Sequence, residues 1–202
     1  STPLYSSAAS DVYKRQMSLG DSEGQIIGYG WNDRLNVIKW AEMLVEQNSD
    51  SEITLFGVSM GGATVMMASG EETLPKQVVN IVEDCGYSSV WDELKYQAKA
   101  MYNLPAFPIL YEVSAVSKVR AGFSYGQASC VKQLKNNTRP ILFIHGSEDK
   151  FVPTSMVYKN YRATNSEKDL YIAKGAAHAK SFESDPKTYI EKISAFLQKN
   201  EK

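Results

Sequence analysis

The sequence predicts an α/β fold, a mostly parallel sheet with helices on both faces. Short continuous apolar runs at 53–56, 78–82 and 140–144 have the length and composition of strands buried on both sides. Amphipathic helical stretches alternate with them, an order that favours parallel strands joined by crossover helices. At 202 residues, 43% of them hydrophobic, the chain is long enough for one domain with a sizeable core.

The elements follow in order. Gly20, Gly24, Gly28 and Gly30 mark a glycine-rich loop. Asn32 or Asp33 is then expected to cap a helix whose apolar face is Leu35, Ile38, Ala41 and Val45. A strand over 53–57 leads into a sharp turn at Ser59 and a helix of small residues to about Ser69. Residues 78–82 make the next buried strand. Residues 91–122 are different: aromatic-rich, helical in places, and broken at Pro105 and Pro108. A short helix over 128–135 precedes the strand at 140–144, and a helix over 153–163 precedes a last strand at 169–173. Asp185 and Pro186 suit the N-cap and first position of the final helix, whose apolar face is Tyr189, Ile190, Ile193, Phe196 and Leu197.

Composition narrows the function. Lys+Arg 22 against Asp+Glu 23 leaves a net charge of -1, and no basic stripe suggests nucleic acid. No apolar run is long enough to span a membrane. Cys85 and Cys130 lack metal-type spacing and read as small buried hydrophobes. Residues 1–16 read unlike the rest, Ser/Ala-rich and without either hydrophobic period. Residues 6–16 resemble a translated transposon-type sequencing adapter, a kind of segment set aside in fold reasoning. The natural part of the chain is then expected to begin near Met17 and the true gene to extend upstream, with 17–202 a partial domain.

The chemistry centres on Gly57-Val58-Ser59-Met60-Gly61-Gly62. Strand, sharp turn and helix with a serine at the apex make a nucleophile elbow, which lifts Oγ clear of the backbone. Glycines two residues before and two after are expected to remove side chains that would collide as strand and helix approach. The helix N-terminus offers the Met60 N–H to a developing oxyanion. A nucleophilic serine needs a base, and the base needs an orienting acid. Only two histidines are present: His178, in a loop after the last strand, and His145, at a strand end before Gly146. His178 is the favoured base. Asp149, in a loop leaving a strand end, is the favoured acid, with Asp84 and Glu148 as alternatives.

Four motifs carry a family resemblance: Gly20-x-Ser22-x-Gly24, Gly57-x-Ser59-x-Gly61-Gly62, His145-Gly146-x-x-Asp149-x-x-Val152-Pro153 and Gly175-x-x-His178. From Gly20 onward the chain resembles a bacterial α/β-hydrolase of the serine-hydrolase and esterase type. The resemblance implies Ser59 as nucleophile, Asp149 as acid, His178 as base and the Met60 N–H as one oxyanion donor. A second donor is expected from a loop upstream of Gly20. It further implies a helical cap over 91–122, with Trp91, Met101, Phe107 and Leu110 lining the acyl or alcohol pocket. The activity implied is cleavage of small carboxylic esters through an acyl-enzyme. Peptidase or thioesterase chemistry on the same residues is the alternative, and a non-catalytic fragment the rival from another class. No cofactor and no metal are expected, the partner being a small-molecule ester.

Overall fold

The structure, a computed structural model, describes residues 26–200. The adapter-like stretch at 1–16 and the glycines at 20 and 24 lie outside the described residues. Strands β1 (Ile53–Val58), β2 (Val78–Asp84), β3 (Ile141–Gly146) and β4 (Lys168–Ala173) form one sheet in the order β1-β2-β3-β4, every pair parallel. Helix α1 (Asp33–Gln47) precedes β1, and α2 (Met60–Ala68) joins β1 to β2. Between β2 and β3 come α3 (Val90–Tyr102), α4 (Ile109–Ala121) and α5 (Cys130–Leu134). Helix α6 (Ser155–Ala163) joins β3 to β4, while α7 (Ser181–Ser184) and α8 (Pro186–Asn200) follow β4.

Strand order and residue parity explain the layers. With strands in sequential order, right-handed crossovers put the connecting helices on one face. Ile81, Ile141 and Phe143 pack there with Met66, Met67, Leu134 and Val157. Their neighbours Val82, Leu142 and Ile144 point the other way, onto Tyr189 and Phe196 of α8. Every residue of β3 is buried, as its unbroken apolar run requires. β1 ends the sheet among the described residues, and its Phe56 and Val58 are exposed. No helix among the described residues is long and apolar enough to cross a membrane.

Several local expectations need correction. Neither Asn32 nor Asp33 caps α1 with its side chain. The Asn32 amide instead donates to Ala121 O, and the buried Asp33 carboxylate accepts from the Gly30 N–H. Leu35 is exposed, because α1 packs through Ile38 and Ala41 against Leu74 and Val78. Ile190 is likewise exposed on α8, which is anchored by Tyr189 and Phe196. The short helix α7 had no signal in the apolar periodicity.

Candidate active site

β1 delivers Ser59 to the turn before α2 with φ 56 and ψ -116, a strained conformation for a residue with a Cβ. Two backbone bonds hold it: Ser59 N–H donates to Asp84 O (2.8 Å), and Ser59 O accepts from Ala63 N–H (3.0 Å). The close approach of strand and helix falls on Gly57 and Gly62, not on Gly61. A Cβ at Gly57 would run into the Gly61 carbonyl, and one at Gly62 would press on backbone at Asp84 and Gly57. At Gly61 a Cβ would meet nothing within 4 Å. Gly57→Ala is therefore expected to cost about 1–3 kcal/mol of stability by overpacking against backbone that cannot turn aside. Gly61→Ala, in the first turn of a helix, is expected to be neutral or stabilising. Urea midpoints of the two variants check this, and equal losses would contradict it.

Three loops at the strand ends bring side chains together. Ser59 Oγ lies 2.7 Å from His178 Nε2, and His178 Nδ1 lies 2.8 Å from Asp149 Oδ2. Asp149 Oδ1 accepts from the N–H groups of Phe151 and Val152, both at 2.9 Å. Burial works against the Asp149 charge, but hydrogen bonds from His145 and His178, the His178 charge and the Val152 N–H outweigh it. The carboxyl is held well below the usual carboxylate range. An ionised Asp149 can only accept, so Nδ1 carries the His178 proton and Nε2 offers its lone pair to the serine hydroxyl.

The alternatives sit elsewhere. Asp84 turns away from His178: its carboxylate accepts from Ser181 Oγ (2.9 Å) and Tyr189 OH (3.0 Å), and burial raises its pKa. Glu148 is exposed. His145 is fully buried behind Asp149. Its Nε2 lies 2.9 Å from Val152 O and 3.3 Å from Asp149 Oδ2, two acceptors that require an N–H there.

Trp91 and Phe107 both pack edge-on to Tyr111, at 4.8 and 5.8 Å between ring centres. Met101 and Phe107 are exposed, whereas Leu110 is buried in the main core, since α4 docks through Leu110 and Ser114. A cavity of about 440 Å³ beside this insertion is lined by residues that include Tyr96, Leu104, Pro105, Ala106, Pro153 and Met156.

Cys85, Asp149 and His178 bring donor atoms within 4.8 Å of one another, the one such group that could hold a metal among the described residues. Burial, with the charges of Asp84 and Glu83, pushes the Cys85 thiol up, which keeps it protonated and a poor ligand. Cys85 and Cys130 are both free and buried.

Residues 28–202 match the prolyl oligopeptidase family. The chain belongs to that family. Among curated relatives, uncharacterized protein YqkD of Bacillus subtilis (strain 168) is 28% identical over 179 residues, which are 88% of this chain and 58% of the relative. The acylaminoacyl peptidase of Pyrococcus horikoshii is similar in structure, with a TM-score of 0.62 at 20% identity over 84% of this chain and 27% of that one. The Pyrococcus furiosus esterase gives 0.64 at 19% identity, over 90% of this chain and 66% of the other. A lipase-esterase related protein from Clostridium acetobutylicum gives 0.61 at 19% identity, over 90% and 81%. The chain thus spans a little over half of the curated relative and about a quarter of the peptidase. The shared architecture is the α/β-hydrolase fold.

Two buried carboxyl groups of this prolyl oligopeptidase family member had no signal in the sequence. Glu83 is wholly buried under the elbow helix, where Oε2 accepts from Gly86 N–H (2.9 Å), and burial raises its pKa well above the usual value. Glu93, on α3, is buried next to the loop that carries Asp149. Both read in the sequence as ordinary charged residues.

Proposed function

We propose that this chain carries the catalytic centre of a serine hydrolase that cleaves carboxylic esters through an acyl-enzyme. The observation that carries the reading is the continuous contact from Ser59 Oγ through His178 to Asp149, at 2.7 and 2.8 Å. Ser59 Oγ attacks the ester carbonyl as His178 Nε2 takes its proton. The imidazolium so formed lies against the Asp149 carboxylate. The Met60 N–H, at the start of α2, faces the oxyanion as one donor. His178 then returns the proton to the leaving alkoxide, and water repeats the sequence on the acyl-Ser59. The insertion at 91–122 serves as a cap over the site, tied to it by Tyr96 and Gln97 of α3.

Membership of the prolyl oligopeptidase family favours a second reading, cleavage of peptide bonds by the same residues. A p-nitrophenyl ester and a p-nitroanilide of one acyl group separate the two. Ester turnover far above anilide turnover is expected. Anilide cleavage at a comparable kcat/KM would shift the assignment to a peptidase, and no cleavage of either would refute the hydrolase.

A further inference from the structure

Helix α3 grips the loop that carries Asp149. The Tyr96 hydroxyl donates to Lys150 O (2.9 Å), and Gln97 Nε2 donates to Phe151 O (2.7 Å). The same Gln97 amide donates its other hydrogen to Glu93 Oε1 (2.9 Å). The loop is thereby fixed at both residues that follow Asp149, and the Phe151 ring sits 4.9 Å from that of His178. Glu93 is 7% exposed, yet its Oε2 has no hydrogen-bond partner among the described residues. An unpaired buried carboxylate oxygen is costly, and such a group needs a physical reason.

We propose that Glu93 is a positioning residue for His178. Through Gln97 and the Phe151 carbonyl it fixes the loop that bears Asp149, and its negative charge adds to that of Asp149 in the field at His178. The proposal rests on the serine-hydrolase reading above.

The titratable groups that act on Glu93 come from several elements around it. They are Tyr87 ahead of α3, His145 at the end of β3, Asp149 in the loop after β3, and His178 after β4. Burial pushes the Glu93 carboxyl up to about 7, against the Gln97 hydrogen bond and the attraction of His178 and His145; Asp149 acts in the same sense as burial. Glu93 therefore changes charge where a histidine-dependent hydrolase works. Its value in the fold lies above that of an unfolded chain, so the fold favours the protonated form. That stability is fully present in acid and is lost as pH rises through about 7. Catalysis runs the other way, because only the ionised form favours the imidazolium that His178 becomes. One side chain thus trades stability for rate above neutrality.

Glu93→Gln keeps the shape and an acceptor for Gln97 while removing the charge. The test measures ester kcat, KM, fluorophosphonate labelling and thermal midpoint at about pH 6 and about pH 8.5, on either side of the titration. At the lower pH the variant is expected to match the wild type in rate and midpoint. At the higher pH kcat is expected to fall roughly three- to tenfold with KM little changed, the scale of one charge acting through an effective dielectric of about 20. The midpoint there is expected to rise. Gln97→Leu, which cuts the tie and keeps the carboxyl, is expected to slow the reaction at both pH values. A variant-to-wild-type ratio that is the same at both pH values, or a rate and midpoint that fall together, overturns the role of Glu93. Wild-type protein that is not labelled at Ser59 would instead sink the hydrolase reading, and the role of Glu93 with it.

Discussion

Ser59→Ala is expected to lose fluorophosphonate labelling and ester hydrolysis together, with kcat down by a factor on the order of 10⁶. The size follows from the covalent route. Without Oγ no acyl-enzyme forms, and what remains is the weak contribution of oxyanion donors and binding. The fold has little to lose, since the hydroxyl has one side-chain partner, the partly exposed His178. The thermal midpoint of Ser59→Ala should therefore stay close to that of the wild type. Ser59→Gly goes further. Backbone strain at a positive φ costs of order 1–3 kcal/mol, and glycine relieves it. Ser59→Gly should be inactive and more stable than wild type. Retention of more than a small fraction of hydrolysis by Ser59→Ala would refute the covalent mechanism. A midpoint for Ser59→Gly below that of Ser59→Ala would refute the strain argument.

The fold was most legible where a strand is buried on both sides. Ile141 to Ile144 is an unbroken apolar run because one parity meets α6 and the crossover core, and the other meets α8. The elbow was legible for a related reason: a strand, a serine between small residues and a helix leave few other conformations. α1 was less so. Its packing stripe is narrow: Ile38 and Ala41 of the expected face are buried and Leu35 is exposed, so hydrophobicity alone drew the face too wide. The glycine argument went astray at Gly61, because spacing from the serine does not say which residue the strand crosses; that depends on the twist of β1 against α2.

In the candidate site, the motifs named Ser59 and His178 and favoured Asp149 over Asp84 and Glu148, but spacing alone does not show which carboxylate reaches His178. That choice depends on the direction in which each side chain leaves its strand end. Asp84 faces α7 and α8 through Ser181 and Tyr189, whereas the loop after β3 turns back on itself and points Asp149 at His178. Glu93 was invisible for a different reason. Its burial comes from a tie between α3 and Phe151, 54 residues beyond Gln97, and no local pattern encodes so distant a neighbour.

Asp149→Asn tests that choice, and kcat is expected to fall by about 10⁴, the loss known for an orienting acid replaced by its amide. The hydrogen-bond inventory gives the direction. Asp149 Oδ1 accepts from two N–H groups, Phe151 and Val152. In the asparagine variant that position must keep the oxygen, so the NH₂ faces His178. His178 Nδ1 must then accept, the ring proton moves to Nε2, and Nε2 can no longer take the serine proton. The same NH₂ also meets the Nε2–H of His145, two donors where a donor and an acceptor stood. Stability carries the matching sign. The Asp149 carboxyl is held below its unfolded value, so its contribution is present above the ordinary carboxylate range and disappears as pH falls through the folded value. The variant should be less stable than wild type at neutral pH, and the gap in thermal midpoint should shrink as pH drops below about 4. Asp84→Asn, whose hydroxyl partners Ser181 and Tyr189 can accept as well as donate, should leave kcat within about tenfold of wild type, the size of a minor adjustment rather than a lost tautomer. If Asp84→Asn shows the large loss in kcat and Asp149→Asn does not, the acid has been assigned to the wrong strand end.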